Sequence, residues 1–143
     1  MASWRDTTPD AVLADLDGLV TAALTSAQAL LTKIKGFAPY GVVLDAAGSL
    51  GPLKPADGVE PSPEALLGSL YAVASAGRDD LRAVAFIADI TVDGSSAVHA
   101  HVEHRDGGPA LSVVAPYTHA DRTTSPVTYG DMRIAEAVRR TWV

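Results

Sequence analysis

Three of the chain's four histidines lie in the stretch "AVHAHVEHRDGG", residues 97–108. His99 and His101 are two positions apart, and Glu103 follows at the same spacing. Two neutral imidazoles at i and i+2 on a strand point to the same side and can chelate one metal ion. Glu103, or Asp89 from the preceding segment, would complete a set of two histidines and one carboxylate. The spacing therefore raises the hypothesis of a metal-binding protein or metal-dependent enzyme with these four ligands.

The same pattern is also typical of the polar, less buried face of an antiparallel sheet. In direct succession, His99, His101 and Glu103 span about 13 Å of extended chain, so all three reach one ion only if the strand bulges. Cupins share the His-x-His spacing, but their longer gap to the glutamate and their second histidine motif are missing here. Both interpretations stay open at this point.

Composition excludes several classes of function. The chain has 143 residues, with 17 acidic against 11 basic side chains and a net charge of −6. Nucleic-acid binding needs a basic surface, so we expect none. Cysteine is absent, which excludes disulfides, cysteine-ligated zinc, iron–sulfur clusters and thiol catalysis. The start is not a secretory signal and no apolar run reaches about 20 residues, so we expect a cytoplasmic protein without membrane association.

Two helices are predicted from apolar spacing and terminal residues. Between Leu13 and Ile34, apolar residues recur every three or four positions and form one stripe. The second helix has Ser62 as its cap, Pro63 at its first position and Gly77 at its end. Such stripes are usually buried against the rest of the fold.

Strand signals fill the remaining chain: residues 40–44 and 50–54, then "LRAVAFIADITV", "AVHAHVEHR" and "PALSVVAPY" joined by Asp-Gly turns. The tail holds a short strand at residues 127–129 and then either a helix from Asp131 or an edge strand. The order is α-β-β-α-β-β-β plus the tail. We therefore predict a single α+β domain, residues 1–143, with a mostly antiparallel sheet of about five strands and two helices packed on one face. This topology resembles profilin-like folds, including roadblock-type domains.

Alternation divides the middle hairpin strand into two faces. The first face carries Val98, Ala100, Val102 and His104, and the second face carries His99, His101 and Glu103. A tight turn at Asp106–Gly107 would pair Val102 with Leu111 and Ala100 with Val113, which keeps the apolar sets together. A three-residue turn at 93–95 would place Asp89 beside His99. On that prediction the second face also holds Asp89, Ile87, Ser112 and Val114.

Five segments, "GFAPYGVVLDAAG", "FIADITV", "VEHRDGG", "VVAPY" and "YGDMRIAE", together resemble a family of small, uncharacterised bacterial α+β proteins with an F-x-P-[YF]-G-x-x-L-D…EHRDG…PY order. The likeness covers the chain from Gly36 to about Glu136. It implies the single-domain fold, and it brings no catalytic residues. The segment that resembles the family pattern includes "EHRDG" but does not include the "HAH" before it.

Core and turn signals are plentiful, whereas catalytic motifs such as G-x-S-x-G or a Walker loop are missing. Our leading hypothesis is therefore a non-enzymatic cytoplasmic binding or regulatory domain that acts through self-association, as a homodimer, or through a protein partner. The predicted contact surface is the second face: Ile87, His99, His101, Ser112 and Val114. The rival is the metal site of His99, His101, Glu103 and Asp89. Small size and acidity leave a third possibility, a protein that neutralises a basic partner. His119 is expected in a solvated loop.

Overall fold

The computed structural model describes residues 3–118 and 127–143. The helices are α1 (Trp4–Thr7), α2 (Asp10–Lys33) and α3 (Pro63–Ala76), with a 3-10 turn at Arg78–Asp80. The strands are β1 (Tyr40–Asp45), β2 (Leu50–Leu53), β3 (Leu81–Val92), β4 (Ser95–His104), β5 (Ala110–Thr118), β6 (Thr128–Tyr129) and β7 (Arg133–Ala137). The α+β prediction is confirmed. The described chain nevertheless has seven strands rather than about five, because the tail adds β6 and β7, and α1 was not predicted.

All strand pairs in the sheet are antiparallel, in the order β2-β1-β3-β4-β5-β6, with β7 also paired to β5. Val102 lies opposite Leu111 and Ala100 opposite Val113, so the predicted register of this hairpin is confirmed. The second helix also begins and ends as predicted, since the Ser62 hydroxyl accepts the N–H of Ala65 and Gly77 caps the other end.

Helix α2 covers the first face of the sheet. Its stripe of Val12, Leu16, Leu19, Ala23, Ala27 and Leu31 is buried against the inward residues of β3, β4 and β5. These include Ala85, Ile87, Val98, Ala100, Val102 and Val113, each completely buried. The main core therefore lies between one long helix and one side of the sheet, as the helical and strand periodicities require.

Helix α3 packs on the second face, so the prediction that both helices share one face is wrong. Leu70 and Ala74 of α3 join Leu53, Val84 and Phe86 in a separate cluster, with Tyr71 edge-on to Phe86 at 4.7 Å between ring centroids. Strand β3 is apolar on both sides because each side is covered by a different helix.

The turn between β3 and β4 decides which side of β3 faces which helix. Val92 pairs with Ser95, so Asp93 and Gly94 form a two-residue turn, with φ of 50° and 79°. This register places Asp89 opposite Val98 and Ile87 opposite Ala100. Asp89 and Ile87 therefore lie on the first face, and their predicted position on the second face is wrong. A turn one residue longer would have reversed the outcome.

The C-terminal part of the chain adds an edge strand and a covering segment. Strand β7 pairs with β5 from Val114–Arg133 to Ala110–Ala137, so of the two alternatives for the tail the edge strand is observed. After β7, residues 139–142 cross the second face beside α3; we call this segment the strap. None of the described helices is long and apolar enough to span a membrane.

Candidate functional site

Glu103, a predicted metal ligand, is completely buried under the strap. Its Oε1 accepts the backbone N–H of Trp142 at 2.9 Å and that of Thr141 at 3.1 Å. Its Oε2 accepts the N–H of Arg140 at 3.0 Å and a bond from His101 Nε2 at 3.2 Å. Successive N–H groups form a concavity suited to an anion. The carboxylate therefore anchors the strap to β4.

These bonds shift the acidity of Glu103. Burial by itself would raise the pKa of the carboxyl. The hydrogen bonds from His101 and from the backbone N–H groups of Arg140, Trp142 and Thr141 outweigh it, and they lower the pKa to about 2. The group is consequently ionised at neutral pH, as an acceptor of several N–H bonds should be.

Three further contacts hold the strap in place. The Arg139 guanidinium donates to the carbonyls of His104 and Gly108, each at 2.7 Å, and so ties the strap to the β4–β5 turn. The Arg140 guanidinium lies 4.6 Å from the centre of the Tyr71 ring on α3, a cation–π distance. Trp142 packs against the α3 cluster. The strap and α3 thus together cover part of the second face of the sheet.

The two histidines of the predicted chelate share a face but have different surroundings. His101 is 5% exposed, and it lies between Glu103 and the Phe86 ring. His99 is half-buried, and its Nε2 forms a 2.9 Å hydrogen bond with the Ser112 hydroxyl. Burial, and the neighbouring His101 to a lesser degree, lower the pKa of His99.

Glu103 is hydrogen-bonded to His101, but the two carboxylates do not complete the predicted ligand set around both histidines. Asp89, on the first face, accepts a 2.7 Å hydrogen bond from the Tyr117 hydroxyl. Both oxygens of Glu103 are occupied by N–H donors. Within residues 3–118 and 127–143, no group of three or more histidine, aspartate or glutamate side chains has a metal-binding arrangement. The four-ligand set is not assembled in this part of the chain, and metal binding by the histidines stays an untested hypothesis.

The third histidine of the motif belongs to another cluster. His104 lies on the first face, and its Nε2 donates to Asp15 of α2 at 2.8 Å while its Nδ1 accepts the N–H of Asp106. Arg82 completes the cluster, donating to the second oxygen of Asp15 at 3.1 Å. A surface cavity of about 290 Å³ adjoins these residues. Both ring nitrogens of His104 are engaged, and the cluster links α2 to the sheet.

The uncovered part of the second face lies beyond His101, away from α3. It comprises His99, Ser112, Val114, Pro116 and Arg133; we call it the open half-face. None of these residues belongs to the cluster around α3 and Trp142. A cavity of about 230 Å³, lined in part by Ala97, Val114, Pro116 and Arg133, occupies its end near the β3–β4 turn.

The predicted contact surface is therefore only partly available. Ile87 and His101 are buried in the fold, whereas His99, Ser112 and Val114 lie on the open half-face and are partly exposed. His119 lies outside the described residues.

Sequence reasoning missed the partners of these polar groups, namely Asp15, Arg82 and the strap. The pattern did not indicate the strap, because alternation placed Glu103 on the polar face with His99 and His101, where a carboxylate in contact with water requires no donors from elsewhere in the chain.

Asp45 accepts the Ser49 N–H at 2.8 Å and shapes the β1–β2 turn. Comparisons of the chain with protein-family models, curated proteins and solved structures find no match. The resemblances noted from the sequence accordingly remain predictions.

Proposed function

We propose that this chain is a non-enzymatic, cytoplasmic binding or regulatory domain, that it acts as a homodimer, and that the open half-face is its contact surface for another protein. One observation carries the proposal. The side chains best suited to chemistry hold the fold together, while a partly apolar area of the sheet is left uncovered beside them. Glu103, Asp89 and His104 are the clearest examples, since each is satisfied by internal hydrogen bonds.

The composition of the open half-face supports protein contact. Val114 and Pro116 are only partly buried, and Arg133 is exposed beside Val114. Apolar side chains bordered by an arginine are typical of protein interfaces. Burial favours the neutral form of His99, so its contact with a partner would not require removing a charge from water.

Sedimentation velocity over a range from low micromolar to near-millimolar protein tests the homodimer. We expect a reversible monomer–dimer equilibrium. A single monomeric species at every concentration would refute self-association. Size-exclusion chromatography with light scattering, at low and high salt, checks that the species seen is not a nonspecific aggregate.

A further inference from the structure

The two edges of the sheet are protected differently. Strand β2 has four residues and includes Pro52, a residue that interrupts further strand pairing. Strand β7 has neither proline nor lysine, and Arg133 to Glu136 are all exposed. In the part of the chain that the structure describes, β7 pairs with β5 alone. Its outer side is therefore an accessible edge.

The orientation of the backbone groups in β5 follows from one hydrogen bond. Gly130 donates its N–H to the carbonyl of Pro116 at 2.8 Å, so this carbonyl points from β5 toward β6 and β7. The N–H and C=O of a strand residue point to the same side, and the side alternates along the chain. Ser112 and Val114 therefore also direct their backbone groups toward β7.

The same alternation applies to β7. Arg133 and Ala135 are the partners of Val114 and Ser112, and their backbone groups point inward to β5. The N–H and C=O of Ile134 and Glu136 consequently point outward, away from the sheet. These groups are the donors and acceptors that another strand would use.

We propose that a second copy of this chain pairs its β7 with this edge, antiparallel, about a two-fold axis through Ile134. This names the surface used by the homodimer, and so rests on the proposed function. The ladder would join Ile134 to Ile134 of the second copy and Met132 to the second copy's Glu136. Paired this way, the outward groups form about six backbone hydrogen bonds.

Apolar contact selects this register among the symmetric ones. A two-fold axis through Ala135 would place Ile134 opposite the second copy's Glu136, and an axis through Glu136 would place the two Glu136 side chains directly opposite each other. With the axis at Ile134, the two isoleucines pair and the glutamates are about four residues apart along the ladder, while the two Arg133 side chains lie diagonally at about 7–8 Å on the other face. The two Ile134 side chains meet beside Val113, whose side chain is fully buried. The apolar core then continues across the axis.

The pairing also determines the place of the open half-faces. A two-fold axis perpendicular to the sheet keeps each face on its own side, so the two sheets become one. Both half-faces then lie on the same side of the dimer, with Arg133 of each copy near the axis. The contact surface for a partner protein is thereby doubled and not consumed by dimerisation.

Two lysine substitutions test the register. Ile134→Lys places like charges opposite each other on the axis, and we expect the dimer Kd to rise at least about tenfold. Met132→Lys adds the same charge two residues away, where it faces the second copy's Glu136, so we expect an unchanged or lower Kd. Met132 and Ile134 are 45% and 37% exposed, which makes them matched surface sites. Sedimentation velocity measures both, and thermal unfolding verifies the fold.

Two more variants keep the outcome decisive. Ile134→Pro removes an outward N–H without removing a hydrogen bond to β5, and it should also dissociate the dimer. Val114→Asp alters the open half-face and should leave the dimer intact. A wild-type dimer that survives all changes at residue 134 overturns the β7 pairing alone. A dimer lost only in Val114→Asp assigns self-association to the open half-face instead, whereas a monomeric wild type refutes the proposed function itself.

Discussion

The anchoring of the strap by Glu103 yields the most direct prediction about stability. Glu103→Gln keeps the size of the side chain but replaces one acceptor oxygen by an amide donor. The backbone N–H groups of Arg140 to Trp142 then face a neutral group that can satisfy only part of them. We expect the substitution to destabilise the fold at neutral pH.

The size of the effect can be worked out in two ways. Hydrogen bonds to a charged group contribute about 1.5–3 kcal/mol each, and the substitution weakens several and leaves at least one buried donor unpaired. Through the same hydrogen bonds, the pKa of Glu103 falls from 4.5 to about 2 on folding, which corresponds to about 3 kcal/mol at neutral pH. We therefore expect a loss of about 3–4 kcal/mol in the free energy of unfolding.

Urea unfolding of wild type and Glu103→Gln, followed by circular dichroism, measures this difference. Because the folded pKa lies below the unfolded one, the stabilisation is fully present above the unfolded pKa and is lost as pH falls toward 2. The gap between the proteins should therefore shrink between about pH 5 and pH 2. Exposed Glu60→Gln is the control, expected within about 0.5 kcal/mol of wild type.

Trp142 gives a local readout for the same variant, best recorded in a Trp4→Phe background because the chain has only these two tryptophans. If the strap is released, we expect the fluorescence emission of Trp142 to shift to the red before the whole protein unfolds. A Glu103→Gln protein as stable as wild type, with unchanged Trp142 emission, would show that the carboxylate does not anchor the strap.

Three further predictions concern the other polar groups. Asp15→Asn leaves His104 and Arg82 without a charged acceptor, so the free energy of unfolding should drop by about 1–3 kcal/mol in urea titrations; no change would mean that the cluster is solvated. The imidazole of His99 should titrate in NMR below its ordinary pKa, because burial and His101 both disfavour its charged form, and stability should fall as pH decreases below about 6.5. Elemental analysis of tag-free protein purified without chelators should find no stoichiometric zinc, iron, manganese or nickel, since Asp89 lies on the first face and both oxygens of Glu103 already accept N–H bonds; one ion per chain would support the metal hypothesis.

Local signals in the sequence determined the elements. The spacing of apolar residues predicted α2, and Ser62, Pro63 and Gly77 predicted both ends of α3. The hairpin after Arg105 was also predictable, including its register, because β4 and β5 each have one mainly apolar face and this pairing brings the two together. The division of the histidines, with His104 apart from the others, follows from the same alternation.

Only the tertiary structure decided which side of β3 faces α2 and which groups the polar side chains bind. Strand β3 is apolar on both sides, so its pattern carries no information about which side faces α2, and a turn of two rather than three residues placed Asp89 on the first face. Glu103 meets the strap some 37 to 39 residues along the chain, and His104 meets Asp15 at a separation of 89. Such contacts depend on how layers stack, and no local periodicity encodes them. The sequence by itself therefore determined where polar side chains lie along each strand, whereas only the packed chain determined that Glu103 binds the backbone N–H groups of the strap.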